Sequence, residues 1–232
     1  MCDTAAVVVY TVRQRDVYVT HYVLTMPQLV FSVVNPKGGV GKTTIAVHLA
    51  VAAHRGGYST TILDADPQGS VWDWHGRSPD GYDGPAVQRV AYEDRLSDAL
   101  PAGADVVVVD SPARLDDRTG AALTIADCAL VPVRPSALDL WGTKEFLGVL
   151  QDHVSGGLTA AFVGSQRDVR TTLSGELEDV LSGLDLPMLD GFTMRVAYAR
   201  SLAQGETVLD GYDDTAELEA DALLSEAAAL LS

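Results

Sequence analysis

From Gln28 onward, short apolar runs alternate with longer stretches whose apolar residues recur at helical spacing. Leu29-Val30-Phe31-Ser32-Val33-Val34, Thr60-Thr61-Ile62-Leu63, Val106-Val107-Val108-Val109, Ala129-Leu130-Val131-Pro132-Val133 and Thr159-Ala160-Ala161-Phe162-Val163 are short and almost continuously apolar. They predict strands buried on both faces. Residues 42–55 place Ile45, Val47, Leu49, Ala50 and Ala53 on a helical pattern that stops at Gly56-Gly57, where glycine ends a helix readily. Helical patterns also occupy about 138–151, 170–182 and 214–231, and Gly76 to Gly84, rich in Gly, Pro and Asp, predicts a surface loop. Such alternation predicts an α/β fold, a mainly parallel twisted β-sheet with helices on both faces, in a single domain.

Residues 1–27 stand apart. Val7 to Val12 and Val17 to Leu24 are β-branched and aromatic runs around the polar Arg13-Gln14-Arg15-Asp16, a pattern that suits a hairpin. Met26-Pro27 directly precedes the first strand of the main domain, so the extension also reads as the product of an upstream start codon. The organisation expected is therefore an N-terminal extension, 1–27, and one domain, 28–232.

Composition narrows the class. A chain of 232 residues buries a sizeable core, and 47% hydrophobic residues with 6% aromatics suits a sheet packed by Val, Ala and Leu. No apolar run approaches the roughly 20 residues of a membrane-spanning helix, and the start lacks a signal-peptide pattern; a cytoplasmic protein is expected. Cys2 and Cys128 have no pairing or metal-ligand spacing, and Cys128, at the start of a strand, is expected to be a plain buried thiol. The net charge is −16, with 24 Asp and only three lysines, Lys37, Lys42 and Lys144. Carboxylate excess of this kind keeps proteins soluble in high salt, and it also occurs in ordinary acidic cytosolic proteins. The 1–27 segment carries two residues of each sign, so the acidity belongs to the main domain.

The candidate chemistry lies at strand ends. Lys37-Gly38-Gly39-Val40-Gly41-Lys42-Thr43-Thr44 follows the first buried strand and opens the 42–55 helix. Glycines let several backbone N–H groups converge on an anion, and the helix adds its positive end. Lys42 is placed to reach β and γ phosphates and the Thr43 hydroxyl to ligate Mg²⁺. The pattern G-x-x-x-x-G-K-[ST] is not strictly met, because its first position is Pro36 and a second lysine, Lys37, stands just inside the loop. Asp64 and Asp66 follow one buried run and Asp110 ends another. These carboxylates are expected at the sheet edge where α/β proteins bind ligands.

This variant loop resembles that of the ParA/MinD family of deviant P-loop ATPases, K-G-G-x-G-K-[ST]. Asp64-Ala65-Asp66-Pro67-Gln68-Gly69-Ser70 resembles the family's D-x-D-P-Q-G-N segment, and Val107-Val108-Val109-Asp110-Ser111-Pro112 its second acidic strand. Val131-Pro132-Val133-Arg134-Pro135-Ser136-Ala137-Leu138-Asp139 resembles P-x-x-P-S-x-x-D, and Arg195-Val196-Ala197-Tyr198 with Gly205-Glu206-Thr207-Val208 resembles the C-terminal region of small plasmid-type members. The resemblance spans about 28–231. It implies ATP and Mg²⁺ as cofactors and ATP hydrolysis as the activity. Lys42 then binds phosphate, Thr43 binds Mg²⁺, Asp110 holds the metal through water, Asp64 supports the metal region and Asp66 positions the attacking water. Lys37 is implied to cross to the nucleotide of a partner subunit in an ATP-dependent homodimer. Where many relatives have an Asn, this chain reads Gly164-Ser165-Gln166-Arg167, and relaxed base preference is expected.

For the cargo, the resemblance implies plasmid or chromosome partitioning, with non-specific DNA bound in the ATP state, a ParB-type centromere-binding partner and a nucleoid-associated location. Arg195 and Arg200 are the candidate DNA contacts. The alternative within the family is an ATP-switched positioning or regulatory protein with a protein cargo; a metabolic amide synthase or ligase is a third reading. The acidic C-terminal helix, with Glu217, Glu219, Asp221 and Glu226, disfavours docking on anionic lipid. No membrane partner is expected.

Overall fold

The computed structural model describes residues 6–14, 17–25, 28–134, 144–168 and 185–232. Two strands, β1 (Ala6–Gln14) and β2 (Val17–Thr25), pair antiparallel from Ala6↔Thr25 to Gln14↔Val17. The expected 170–182 helix and the Pro135 to Asp139 motif lie outside the described residues.

The main domain is built on a seven-stranded sheet. Its strands are β3 (Leu29–Val33), β4 (Thr60–Asp64), β5 (Ala86–Arg89), β6 (Val106–Asp110), β7 (Cys128–Val133), β8 (Thr159–Gly164) and β9 (Met188–Leu189). The order is β5-β4-β6-β3-β7-β8-β9, and every pair is parallel. The helices are α1 (Lys42–Arg55), α2 (Ser70–His75), α3 (Asp117–Ile125), α4 (Lys144–Ser155), α5 (Val196–Ala203) and α6 (Asp214–Ala229).

The pleat divides the core in two. Phe31, Val33, Ile62, Val106, Val108, Leu130 and Val163 point to one face and pack with Ile45, Leu49, Ala220 and Leu223 of α1 and α6. Val30, Leu63, Val107, Val109, Ala129 and Phe162 point to the other and pack with Leu123 of α3 and Phe146 and Leu150 of α4. Continuous Val runs in the sequence are thus strands feeding two cores at once. Cys128 is buried and unpaired, as expected, and burial pushes its thiol up to about 12.

Local chemistry accounts for what the apolar pattern left out. Asp116 caps α3, accepting from the N–H groups of Arg118 and Thr119, and satisfies donors the helix leaves open. Asp213 caps α6 in the same way through Thr215 and Ala216. Of the helix expected over about 138–151, residues 138–143 lie outside the described residues; the described part, Lys144–Ser155, runs past 151 to the Gly156-Gly157 stop. β5 is short and mostly exposed, an edge strand with no buried run to announce it.

Register delivers the candidate residues to one edge. Val33, Asp110 and Asp64 are aligned across three adjacent strands, Val33↔Asp110 and Asp64↔Asp110. The Gly-rich loop leaves β3 immediately beyond this row, where the chain later changes sides from β6 to β7.

Candidate functional site

The loop begins with an anchored asparagine. Asn35 is buried, its Nδ2 donates to Pro132 O at 2.8 Å on β7, and its Oδ1 accepts the Lys37 N–H at 2.9 Å. The loop then turns through Gly39 at φ 72° and Gly41 at φ 95°, left-handed conformations that favour glycine. A Cβ at Gly41 would stand 2.5 Å from Ser165 Oγ, so β8 is packed against the loop there. Gly39, Val40 and Gly41 have main-chain N–H groups with no acceptor among the described residues.

Lys42, the first residue of α1, folds back to donate from Nζ to Lys37 O at 3.0 Å, closing the loop into a ring. It is only 6% exposed. Burial lowers its pKa, opposed by the nearby carboxylates of Asp110 and Asp66. A desolvated ammonium at the start of the helix, on a loop with open N–H groups, is a seat for a polyanion.

Beside it, Thr43 Oγ1 donates to Asp110 Oδ2 at 2.7 Å. Asp110 is buried at the end of β6, and desolvation pushes its carboxyl up to about 7, with the Thr43 bond pulling the other way and Asp64 adding to the rise. Asp64, fully buried, accepts the Trp72 N–H at 2.8 Å. Its carboxyl is also raised, chiefly by burial. The remaining oxygens, Asp64 Oδ1 and Asp110 Oδ1, are buried without a hydrogen-bond partner. Two neighbouring carboxylates with orphaned oxygens and a hydroxyl in reach suit a hard cation that brings positive charge into the row. Among the described residues no group of three His, Cys, Asp or Glu is arranged to hold a metal alone, so phosphate oxygens and water would have to complete such a shell.

Asp66 sits two residues beyond β4, half-buried, in a turn where its Oδ1 accepts the Gln68 N–H at 3.0 Å and its carbonyl the Gly69 N–H at 2.9 Å. Lys37, Lys42, Thr43, Asp64, Asp66 and Asp110 are therefore brought to one sheet edge. Arg195 and Arg200 belong to another neighbourhood. Arg195 is held by Asp213 at 3.2 Å, by Glu219 at 3.6 Å and by the Thr193 hydroxyl at 2.9 Å, while Arg200 is exposed and lies over the Tyr212 ring at 5.8 Å.

Three residues at this edge have no local sequence signal for their contacts. Arg134 Nη2 donates to Gly39 O, Gln166 Nε2 donates to the same oxygen at 3.2 Å, and Ser165 packs on Gly41. The stretch read as the base-recognition departure thus turns Ser165 and Gln166 toward the phosphate loop. Only the alternation of strands hints that the ends of β7 and β8 meet a loop about a hundred residues earlier.

The profile of the CobQ/CobB/MinD/ParA nucleotide binding domain matches residues 31–208, which include the whole loop and all three acidic positions. The chain belongs to this family of P-loop ATPases. Maintenance of carboxysome distribution protein A from Halothiobacillus neapolitanus is 32% identical over 190 residues, covering 76% of this chain and 85% of that protein. The chromosome-partitioning ATPase Soj of Thermus thermophilus is 29% identical over 179 residues, covering 62% of this chain and 72% of Soj. The septum site-determining protein MinD from Pyrococcus horikoshii, solved with Mg-ADP, shares the fold, with a TM-score of 0.66 at 19% identity over 86% of this chain and 96% of that one.

Proposed function

We propose that this chain is a dimerising, Mg²⁺-dependent ATPase that partitions DNA, plasmid or chromosome, in an ATP-switched cycle stimulated by a ParB-type partner. The observation that carries the ATPase chemistry is the desolvated Lys42 beside the Thr43–Asp110 bond, at the rim of a loop with open N–H groups. ATP and Mg²⁺ are its ligands. Lys42 and the N–H groups of Gly38 to Thr44 bind the phosphates; Thr43 and Asp110 would hold the cation, with Asp64 behind them. The cation supplies charge neutralisation at the β and γ phosphates. Asp66, beyond the metal row, orients water toward the γ phosphate, and Lys37 supplies a cation to the partner's nucleotide. Positioning and charge neutralisation are sufficient for phosphoryl transfer.

The kinship with Soj supports DNA as the cargo. A second reading, a positioning ATPase with a protein cargo, is favoured by the kinship with a carboxysome-distribution protein across 85% of that protein's length. The engagement of Arg195 by Asp213 and Glu219 also favours it, because a guanidinium already paired with carboxylates has less to offer a phosphate backbone. No helix among the described residues is long and apolar enough to cross a membrane. In either reading the protein works in the cytoplasm, and the DNA reading places it on the nucleoid.

The two readings separate in one assay. Purified protein is titrated with non-specific duplex DNA, with ATP and with ADP, over a range of salt. Partitioning predicts binding in the ATP state alone, weakening steeply with salt, and reduced by the Arg195→Ala/Arg200→Ala pair. Absence of ATP-dependent DNA binding at low salt, in a protein that hydrolyses ATP, rejects DNA as the cargo and leaves the protein-cargo reading.

A further inference from the structure

Two side chains that the chemistry above does not use converge on a single carbonyl of the phosphate loop. Arg134, at the end of β7, and Gln166, just past β8, both donate to Gly39 O. Gln166 does so from φ 52°, the left-handed region, which a side chain with a Cβ occupies only where its surroundings enforce it. The enforcing bonds flank it, from Ser165 N–H to Val133 O at 2.8 Å and from Arg167 N–H to Phe192 O at 3.1 Å. Backbone strain is thus spent on aiming this amide at the loop.

A trans peptide points its carbonyl and the following N–H in opposite directions. Donors that grip Gly39 O from the β7 and β8 side therefore fix the Val40 N–H pointing away from them, and that N–H has no acceptor among the described residues. Gly39, at φ 72° and without a side chain, would otherwise let this peptide flip readily. We propose that Arg134 and Gln166 are positioning residues which lock the Gly39–Val40 peptide so that the Val40 N–H serves the nucleotide phosphates. The idea rests on the loop being the ATP phosphate site. It extends that site to two strand ends and explains why a non-glycine residue is kept in a left-handed conformation at the end of β8.

The test exploits that strain. Gln166→Gly removes the hydrogen bond and relaxes the backbone at once, so the thermal midpoint holds or rises. The KM for Mg-ATP nevertheless rises about fivefold, the worth of one ordinary hydrogen bond, while kcat stays within about twofold because the contact is made equally in ground and transition states. Arg134→Lys, which keeps one charged donor, retains more of the wild-type KM than Arg134→Met. The site-specific signal is the Val40 amide in ¹⁵N-labelled protein. Its shift on adding Mg-ADP is large in wild type and shrinks in Gln166→Gly. A Gln166→Gly protein with the wild-type KM and the wild-type Val40 shift overturns the positioning role, whatever its stability. A wild-type chain that neither binds nor hydrolyses Mg-ATP overturns instead the ATPase reading beneath it.

Discussion

Asp64, Asp66 and Asp110 show how differently three aspartates can serve one site. Asp64 and Asp110 are buried side by side, raised by desolvation, and left with orphaned oxygens; Asp66 is half-exposed and shapes a turn. The buried pair suits a cation, and the exposed carboxylate suits contact with a water at the γ phosphate. Asp66→Ala is therefore expected to bind Mg-ATP with affinity within a few-fold of wild type, since no phosphate contact is lost, and to hydrolyse it at least about a hundredfold more slowly. Nucleotide titration and single-turnover hydrolysis check the two halves; wild-type turnover in Asp66→Ala removes it from the water-positioning role. All three aspartates were legible from the sequence because Asp64 and Asp110 end buried runs and Asp66 lies two residues beyond one. Arg134 and Gln166 were not, because their meaning depends on which strand ends lie beside β3.

At the level of elements, α1 connects the loop to the C-terminal layer. Its buried His48 accepts the Val208 N–H on Nε2 at 3.2 Å and faces Thr44 O from Nδ1 at 2.7 Å, which fits the neutral tautomer with the proton on Nδ1. Its ring lies edge-on to Phe192 and Tyr198, themselves stacked at 4.6 Å. Burial lowers the His48 pKa to about 4. A depressed folded pKa means stability present above the unfolded value and lost as pH falls through the folded one. His48 thus withdraws stability between about pH 6.5 and about pH 4, up to about 3 kcal/mol. Asp110, raised to about 7, acts in the opposite sense, its contribution being present at low pH and lost as pH rises toward 7. The wild-type profile mixes the two, so the difference from His48→Gln isolates the histidine. On going from about pH 7.5 to about pH 4.5, the urea midpoint should change in the destabilising direction by more in wild type, sign included, than in the variant; the same signed change in both would show that His48 is not held neutral. The α1 pattern was readable because a long helix repeats its signal. α2, β5 and β9 are too short to carry a period, and α3 is announced by its Asp116 cap more than by its apolar face.

For the whole molecule, the alternation of buried runs with helical stretches was enough to indicate a parallel sheet covered on both faces. Strand order was beyond it, because parallel neighbours are fixed by crossovers rather than by local pattern. Placing β3 between β6 and β7 is what makes the loop, the two buried carboxylates and the Asn35 anchor on Pro132 a single site. Lys37 belongs to this scale too. Lys42 already reaches the loop's interior, whereas Lys37 is half-buried at the loop's outer end with its carbonyl committed to Lys42. A cation offered to a second subunit would bind two ATP-loaded chains together and neutralise transition-state charge only when they meet. Light scattering is expected to find a dimer with Mg-ATP, a monomer with Mg-ADP, and a monomer for Lys37→Ala with Mg-ATP still bound. A Lys37→Ala protein that dimerises and turns over normally would refute the trans role.

The most direct measurement is steady-state phosphate release from ATP by the purified chain, with Mg²⁺ and with chelator, for wild type and Lys42→Ala. The site predicts slow turnover that requires Mg²⁺ and falls to background in Lys42→Ala, because the variant lacks the buried ammonium at the start of α1. Turnover by Lys42→Ala at the wild-type rate, or wild-type turnover indifferent to Mg²⁺, would contradict it.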